Sequence, residues 1–141
     1  MIRLIFLHNF LVYVLTDYLL FVIHHVSEVK SIVTAGAATY SEQETISYTN
    51  GRICTFKCHV IFTGHTGSGS LRVTLGTEIN AKNGAFHNIT AWILGIGYVK
   101  AIIDGGTKNV VFYDINNNQL NISASMNISI YGWYMIDYTS L

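Results

Sequence analysis

The chain contains no proline among 141 residues, and only 11% of those residues are charged. Without proline, a sheet edge has lost one of the usual devices that stop it pairing with other chains. Any edge here must be protected by pairing or by association. A typical charged fraction is about 25%, so solubility rests on Asn, Ser, Thr and Gly, or on surface covered by partner chains. Eight basic and eight acidic residues cancel, which leaves no net field to recruit nucleic acid or an anionic membrane. The length suits one domain.

What the chain does have is punctuated alternation. Arg52-Ile-Cys-Thr-Phe-Lys-Cys-His-Val-Ile-Phe62 places Cys54, Phe56, Cys58, Val60 and Phe62 on one side and Thr55, Lys57 and His59 on the other. A period of two marks a strand with one face buried. The run ends in Gly64-His-Thr-Gly-Ser-Gly-Ser70, read as a flexible hairpin loop, and restarts as Leu71–Leu75. Further strands are predicted at Phe86–Leu94, with Trp92 as a large anchor, at Tyr98–Ile103, Val110–Ile115 and Asn127–Ile136. Asp104-Gly-Gly106 and Asn116-Asn-Asn118 supply turns between them. Six or seven strands at this spacing predict an all-β domain over 46–141, an antiparallel β-sandwich or jelly-roll-like fold.

The N-terminal piece differs in kind. Ile2–Val26 is almost continuously apolar and long enough to span a bilayer as a helix, but Asp17 near its middle opposes insertion. The expectation for 1–29 is an apolar helix, acting as a membrane anchor, as a helix packed on other chains, or as a segment foreign to the domain. Membrane contact would run through residues 2–26. Residues 30–45, with Ala35-Gly-Ala-Ala38 and Ser41-Glu-Gln-Glu44, read as a linker.

Chemical motifs are sparse. Cys54 and Cys58 lie on one strand face about 13 Å apart at ~3.3 Å per residue, beyond disulfide reach. They read as buried thiols and suit folding in a reducing cytoplasm. His59 points away from them, and no His pair has metal-ligand spacing. Gly67-Ser-Gly-Ser70 matches neither a nucleophile elbow nor a phosphate loop. No catalytic residue, metal site or cofactor is therefore expected, and the chain reads as non-enzymatic. Tyr131 and Trp133 are the candidate ligand or interface residues, because alternation turns them away from Ile128, Ile130 and Tyr134.

Several of these stretches carry a resemblance. Tyr48-Thr-Asn-Gly-Arg52, running on through Phe62, then Gly67-Ser-Gly69 and Leu71-Arg-Val-Thr-Leu75, resembles the opening of C-terminal domains of bacteriophage tail fibre and other phage structural proteins. Ile128-Ser-Ile-Tyr-Gly-Trp-Tyr134 resembles their closing strand, and Val99–Ile103 and Val110–Tyr113 take the middle places. The resemblance covers about Tyr48 to Ile136. It departs from the family in the single residue between Tyr48-Thr49 and Gly51-Arg52, and in lacking proline after the short strand. It implies a virion appendage domain, often a homotrimer, that is made in the host cytoplasm and binds a host surface glycan or protein. The alternatives are a secreted or membrane-anchored adhesin or lectin-like module, and a structural tail or capsid decoration subunit.

Overall fold

A computed structural model describes residues 36–77, 80–84 and 87–137, together with the backbone of 3–7 and 10–14. The fold is all-β. Its main body is one seven-stranded sheet built from β3 (Thr39–Asn50), β4 (Ile53–Thr63), β5 (Arg72–Thr74), β6 (His87–Ile93), β7 (Gly97–Ile103), β8 (Asn109–Tyr113) and β9 (Met126–Met135). The order is β3-β4-β9-β6-β7-β8-β5, and every pairing is antiparallel.

Alternation in β4 predicts the observed burial without exception on its inner side. Cys54, Phe56, Cys58, Val60 and Phe62 are all buried, and Thr55, Lys57, His59 and Ile61 face outward. Register carries the same parity across the sheet. Cys58 lies opposite Ile130 of β9, which lies opposite Ala91 of β6. Val60, Ile128 and Ile93 form the next inner row. Leu71, Val73 and Leu75 around β5 join the same core as Val110 and Phe112 of β8.

The sheet curls into a half-barrel, so its two ends approach. Gly76 N, just past β5, donates to Thr45 Oγ1 of β3 at 3.3 Å. Tyr134 Oη of β9 donates to Thr77 Oγ1 at 2.7 Å, and both groups are buried. Twist and curl thus let one sheet enclose a core. Gly132 allows a close approach at the centre of the curl. A Cβ there would collide with the Asn88 carbonyl oxygen and sit 2.9 Å from Ile89 Cα.

Four expectations change. Thr39–Thr45, read as the end of a linker, is strand. Its outer positions, Glu42 and Glu44, are wet because β3 is an edge strand, and that hid the pattern. Within the apolar N-terminus, Arg3–Leu7 (β1) and Phe10–Val14 (β2) are extended and pair antiparallel, Leu7 opposite Phe10, where a helix was expected. Ile, Phe, Val and Tyr in these runs favour strands over helix. The rest of that segment lies outside the described residues. Among the described residues no helix is long and apolar enough to cross a membrane.

The third change concerns Gly64–Ser70. It is not a hairpin, because β4 and β5 lie far apart in the sheet order. It is also pinned: Thr66 N donates to Ala37 O at 3.0 Å and His65 N to Ala124 O at 2.9 Å. The buried His65 ring packs edge-on against Phe62, and its Nδ1 accepts from Gly67 N at 3.0 Å. Trp92 is the fourth. It is half-buried on the outer side of β6, opposite Ser129 and Tyr98, so it is no core anchor.

Candidate functional site, the outer face of the sheet

The residues opposite the core form three cross-strand rows. The first runs Tyr48–Thr55–Trp133–Asn88 across β3, β4, β9 and β6. The second runs Ile46–Lys57–Tyr131–Thr90–Lys100–Tyr113 and reaches β8. The third runs Glu44–His59–Ser129–Trp92–Tyr98. Six aromatic rings therefore share one face. Tyr98 is 74% exposed, Tyr48 47% and Tyr131 45%, while Trp92, Trp133 and Tyr113 are half-buried. Lys100 Nζ stands 5.7 Å from the centre of the Tyr113 ring and donates to Asn117 Oδ1 at 2.8 Å.

Tyr131 and Trp133, the two residues singled out from the sequence, lie where alternation places them, on the outer side of β9. Directly opposite Tyr131 are Lys57 and Thr90, and opposite Trp133 are Thr55 and Asn88. Large rings flanked by hydroxyls and amides can stack on an apolar ring face and hydrogen-bond its polar rim. Tyr48, Trp92 and Tyr98 escaped notice as members of this surface. The signal was present for Trp92: it shares parity with Asn88 and Thr90, whereas Ile89, Ala91 and Ile93 are buried.

A polar link crosses the same face beside β3. His59 Nδ1 lies 2.6 Å from Glu42 Oε2, and His59 Nε2 lies 2.9 Å from Asn127 Oδ1. Glu42 lies opposite Ile61, which makes it the diagonal cross-strand neighbour of His59 on the same face. The link ties β3 to β9 through β4, three strands held by one imidazole. It supplies positioning and leaves the inner face untouched.

The inner face holds groups with little chemistry to offer. Cys54 and Cys58 are buried thiols. Burial, reinforced by the neighbouring Cys54, pushes the Tyr134 phenol well above its ordinary range. At the surface, Asp114 closes the turn after β8. Its Oδ1 accepts from Asn116 N and Asn118 N, both at 2.8 Å. The Asn118 amide is the main cause of its lowered pKa. Among the described residues no group of three or more His, Cys, Asp or Glu is placed to hold a metal ion.

No family model matches the chain, and no curated protein or solved structure matches it either.

Proposed function

We propose that the chain is a non-enzymatic domain of a phage virion appendage, a tail fibre or a relative of one, that associates with further copies and contacts the host cell surface through the outer face of its sheet. One observation carries the reading: six aromatic residues stand on the side of the sheet opposite the core, three of them widely exposed. Isolated exposed apolar residues are ordinary, but Tyr131, Trp133, Trp92 and Tyr98 lie on adjacent strands of one face, the composition of a contact surface. The resemblance of Tyr48–Phe62 and Ile128–Tyr134 to phage appendage domains supplies the biological setting. The sandwich-like or jelly-roll character belongs to the same proposal. The curled sheet would supply both layers, with the segment after β5 closing over β3 and β9.

The ligand class is a host surface glycan, with Tyr131 and Trp133 as stacking rings and Asn88, Thr90 and Ser129 as polar neighbours. Glycan-array and whole-cell binding by the full chain test this. Tyr131→Ala/Trp133→Ala is expected to lower binding at least about tenfold, since losing a stacked ring removes on the order of 1–2 kcal/mol. Binding unchanged in that double variant would remove this face from the site.

A further inference from the structure

We infer that the apolar end of the sheet, centred on the β6–β7 turn, dips into the interface of a lipid bilayer. The inference goes beyond the glycan reading above and stands without it.

The two ends of the sheet differ in chemistry. At one end, register and backbone hydrogen bonds gather the Gly51-Arg52 turn, residues 80–84, the β7–β8 turn and Asp137. Arg52, Lys82, Asp104, Lys108 and Asp137 all stand there. The other end is made by residues 64–71, the β6–β7 turn and the chain between β8 and β9. Residues 63–71, 94–99 and 115–126 contain no Asp, Glu, Lys or Arg. Asp114 borders this end, and its Oδ1 is taken up by the Asn116 and Asn118 amides. Glu42, at the same level, lies three strands away from β6 and is paired with His59.

The uncharged end holds most of the large apolar side chains exposed among the described residues. Leu94, Ile96 and Tyr98 are each more than half exposed, and Ile115 is 97% exposed. Ile115 belongs with them because Tyr113 pairs with Lys100, so the chain two residues beyond Tyr113 draws level with Tyr98. Exposed apolar side chains gathered in one place mark a contact surface.

The order of side chains along the hairpin selects lipid as the occupant. Leu94 and Ile96 form the tip. Trp92 lies directly opposite Tyr98 in the next outward-facing pair, and Thr90 lies opposite Lys100 in the one after. Apolar, aromatic and cationic layers thus follow one another, about 6–7 Å apart at ~3.3 Å per residue. A bilayer interface has the same order: acyl chains, then the headgroup level that suits Trp and Tyr, then phosphates within reach of a lysine. A protein partner imposes no such sequence of layers. The path of the chain agrees. β3 starts at this end, with Thr39 opposite Thr63. The almost continuously apolar stretch 2–26 is therefore joined to the domain here, through residues 27–38. Because the chain has no net charge, apolar burial drives the contact, and a zwitterionic bilayer suffices.

Probe depth in the full-length chain tests this. Cys54 and Cys58 are buried, so an environment-sensitive thiol probe labels a single added cysteine. Ile96→Cys and Ile115→Cys place the probe at the tip, and Arg52→Cys places it at the opposite end. On phosphatidylcholine vesicles the two tip probes are expected to shift to the blue and to be quenched by spin labels on the acyl chains. The Arg52→Cys probe is expected to stay in water. Leu94→Asp/Ile96→Asp is expected to weaken vesicle binding at least about tenfold, since charges at the tip must be dehydrated. Four results would each overturn the inference. They are no vesicle binding by the wild type, vesicle binding unchanged in the aspartate variant, tip probes that stay in water on a vesicle-bound chain, or tip probes already blue-shifted without vesicles in a chain that sediments as a dimer. The third would leave the N-terminal stretch as the anchor, and the fourth would assign this end to a second copy. Quenched tip probes without glycan binding sink the glycan reading alone, and the converse sinks this one alone.

Discussion

The hydrogen bond from Tyr134 Oη to Thr77 Oγ1 closes the curl of the sheet, and its removal should be measurable. The bond is 2.7 Å long, and Tyr134 and Thr77 are 0% and 2% exposed. The Tyr134 ring also packs against Phe56 at 5.9 Å between centroids, and Tyr134→Phe keeps that contact. The variant therefore deletes the hydrogen bond to Thr77, strands the Thr77 hydroxyl and removes the phenol's contact with the Cys54 thiol. The first effect is about 1 kcal/mol and the second about 1–3 kcal/mol, so the expected loss is about 2–4 kcal/mol. Thr77→Val should cost about 1 kcal/mol, the lost hydrogen bond, because the phenol keeps its contact with the Cys54 thiol. With both hydroxyls gone the Thr77 hydroxyl is no longer stranded, so the double variant should lose about 1–2 kcal/mol less than the sum of the singles. Urea unfolding of the four proteins measures this; a 2 kcal/mol loss moves the midpoint by roughly 1 M. Additive costs, or a Tyr134→Phe loss under about 0.5 kcal/mol, would refute the role given to this bond.

The same residue sets an alkaline limit. Burial raises the folded-state pKa of Tyr134 above its unfolded value near ~10. A raised folded value means that its contribution is fully present below the unfolded pKa and is lost as pH rises toward the folded one. Above pH ~10 the wild type should lose about 1.4 kcal/mol more per pH unit than Tyr134→Phe, one proton's worth of linkage. Equal alkaline slopes would contradict a buried, neutral phenol.

Gly132→Ala should destabilise by about 3 kcal/mol or prevent folding, because the new methyl meets the Asn88 carbonyl in the neighbouring strand; circular dichroism melting would show it. Cys54 and Cys58 should resist a thiol reagent in the folded protein and both react in urea, since each is at most 2% exposed; mass spectrometry counts the adducts. Asp114 should titrate below an ordinary aspartate by NMR, its stabilisation being present above the unfolded value near ~3.9 and lost as pH falls through the folded one. In Asp114→Ala the amides of Asn116 and Asn118 should exchange faster with solvent.

Strands with a hydrophobic side were legible because their parity is written residue by residue. β4 and β9 read correctly from Cys54 to Phe62 and from Ile128 to Tyr134, and with them the outward turn of Tyr131 and Trp133. β3 was not legible over Thr39–Thr45. As an edge strand beside a curled core, it buries little there, and Glu42 and Glu44 look like linker residues. The sheet order was illegible for another reason. The sequence separates β4 from β9 by more than sixty residues, yet His59 sits opposite Ser129 and shares a hydrogen bond with Asn127. Pairing of that kind follows from the closure of the whole sheet, which no local pattern encodes. Gly132 shows the same limit. Its sequence neighbours say only that a strand contains a glycine; the reason is the Asn88 carbonyl on β6.

The scarcity of charge noted first in the composition has a location. On the outer face of the two central strands, β9 shows Asn127, Ser129, Tyr131, Trp133 and Met135, and β6 shows Asn88, Thr90 and Trp92, with no charged residue among them. Charged side chains stand to either side, at Glu42, Glu44 and Lys57 in one direction and at Lys100 and Arg72 in the other. Here the centre carries rings, hydroxyls and short amides; Lys57 lies directly opposite Tyr131, and Lys100 stands one strand beyond Thr90 on the other side. Rings among short polar groups, with lysines beyond them, are the composition the proposed contact would use. The low charge count and the aromatic face are thus one feature, and it lies on the side of the sheet that the core does not need.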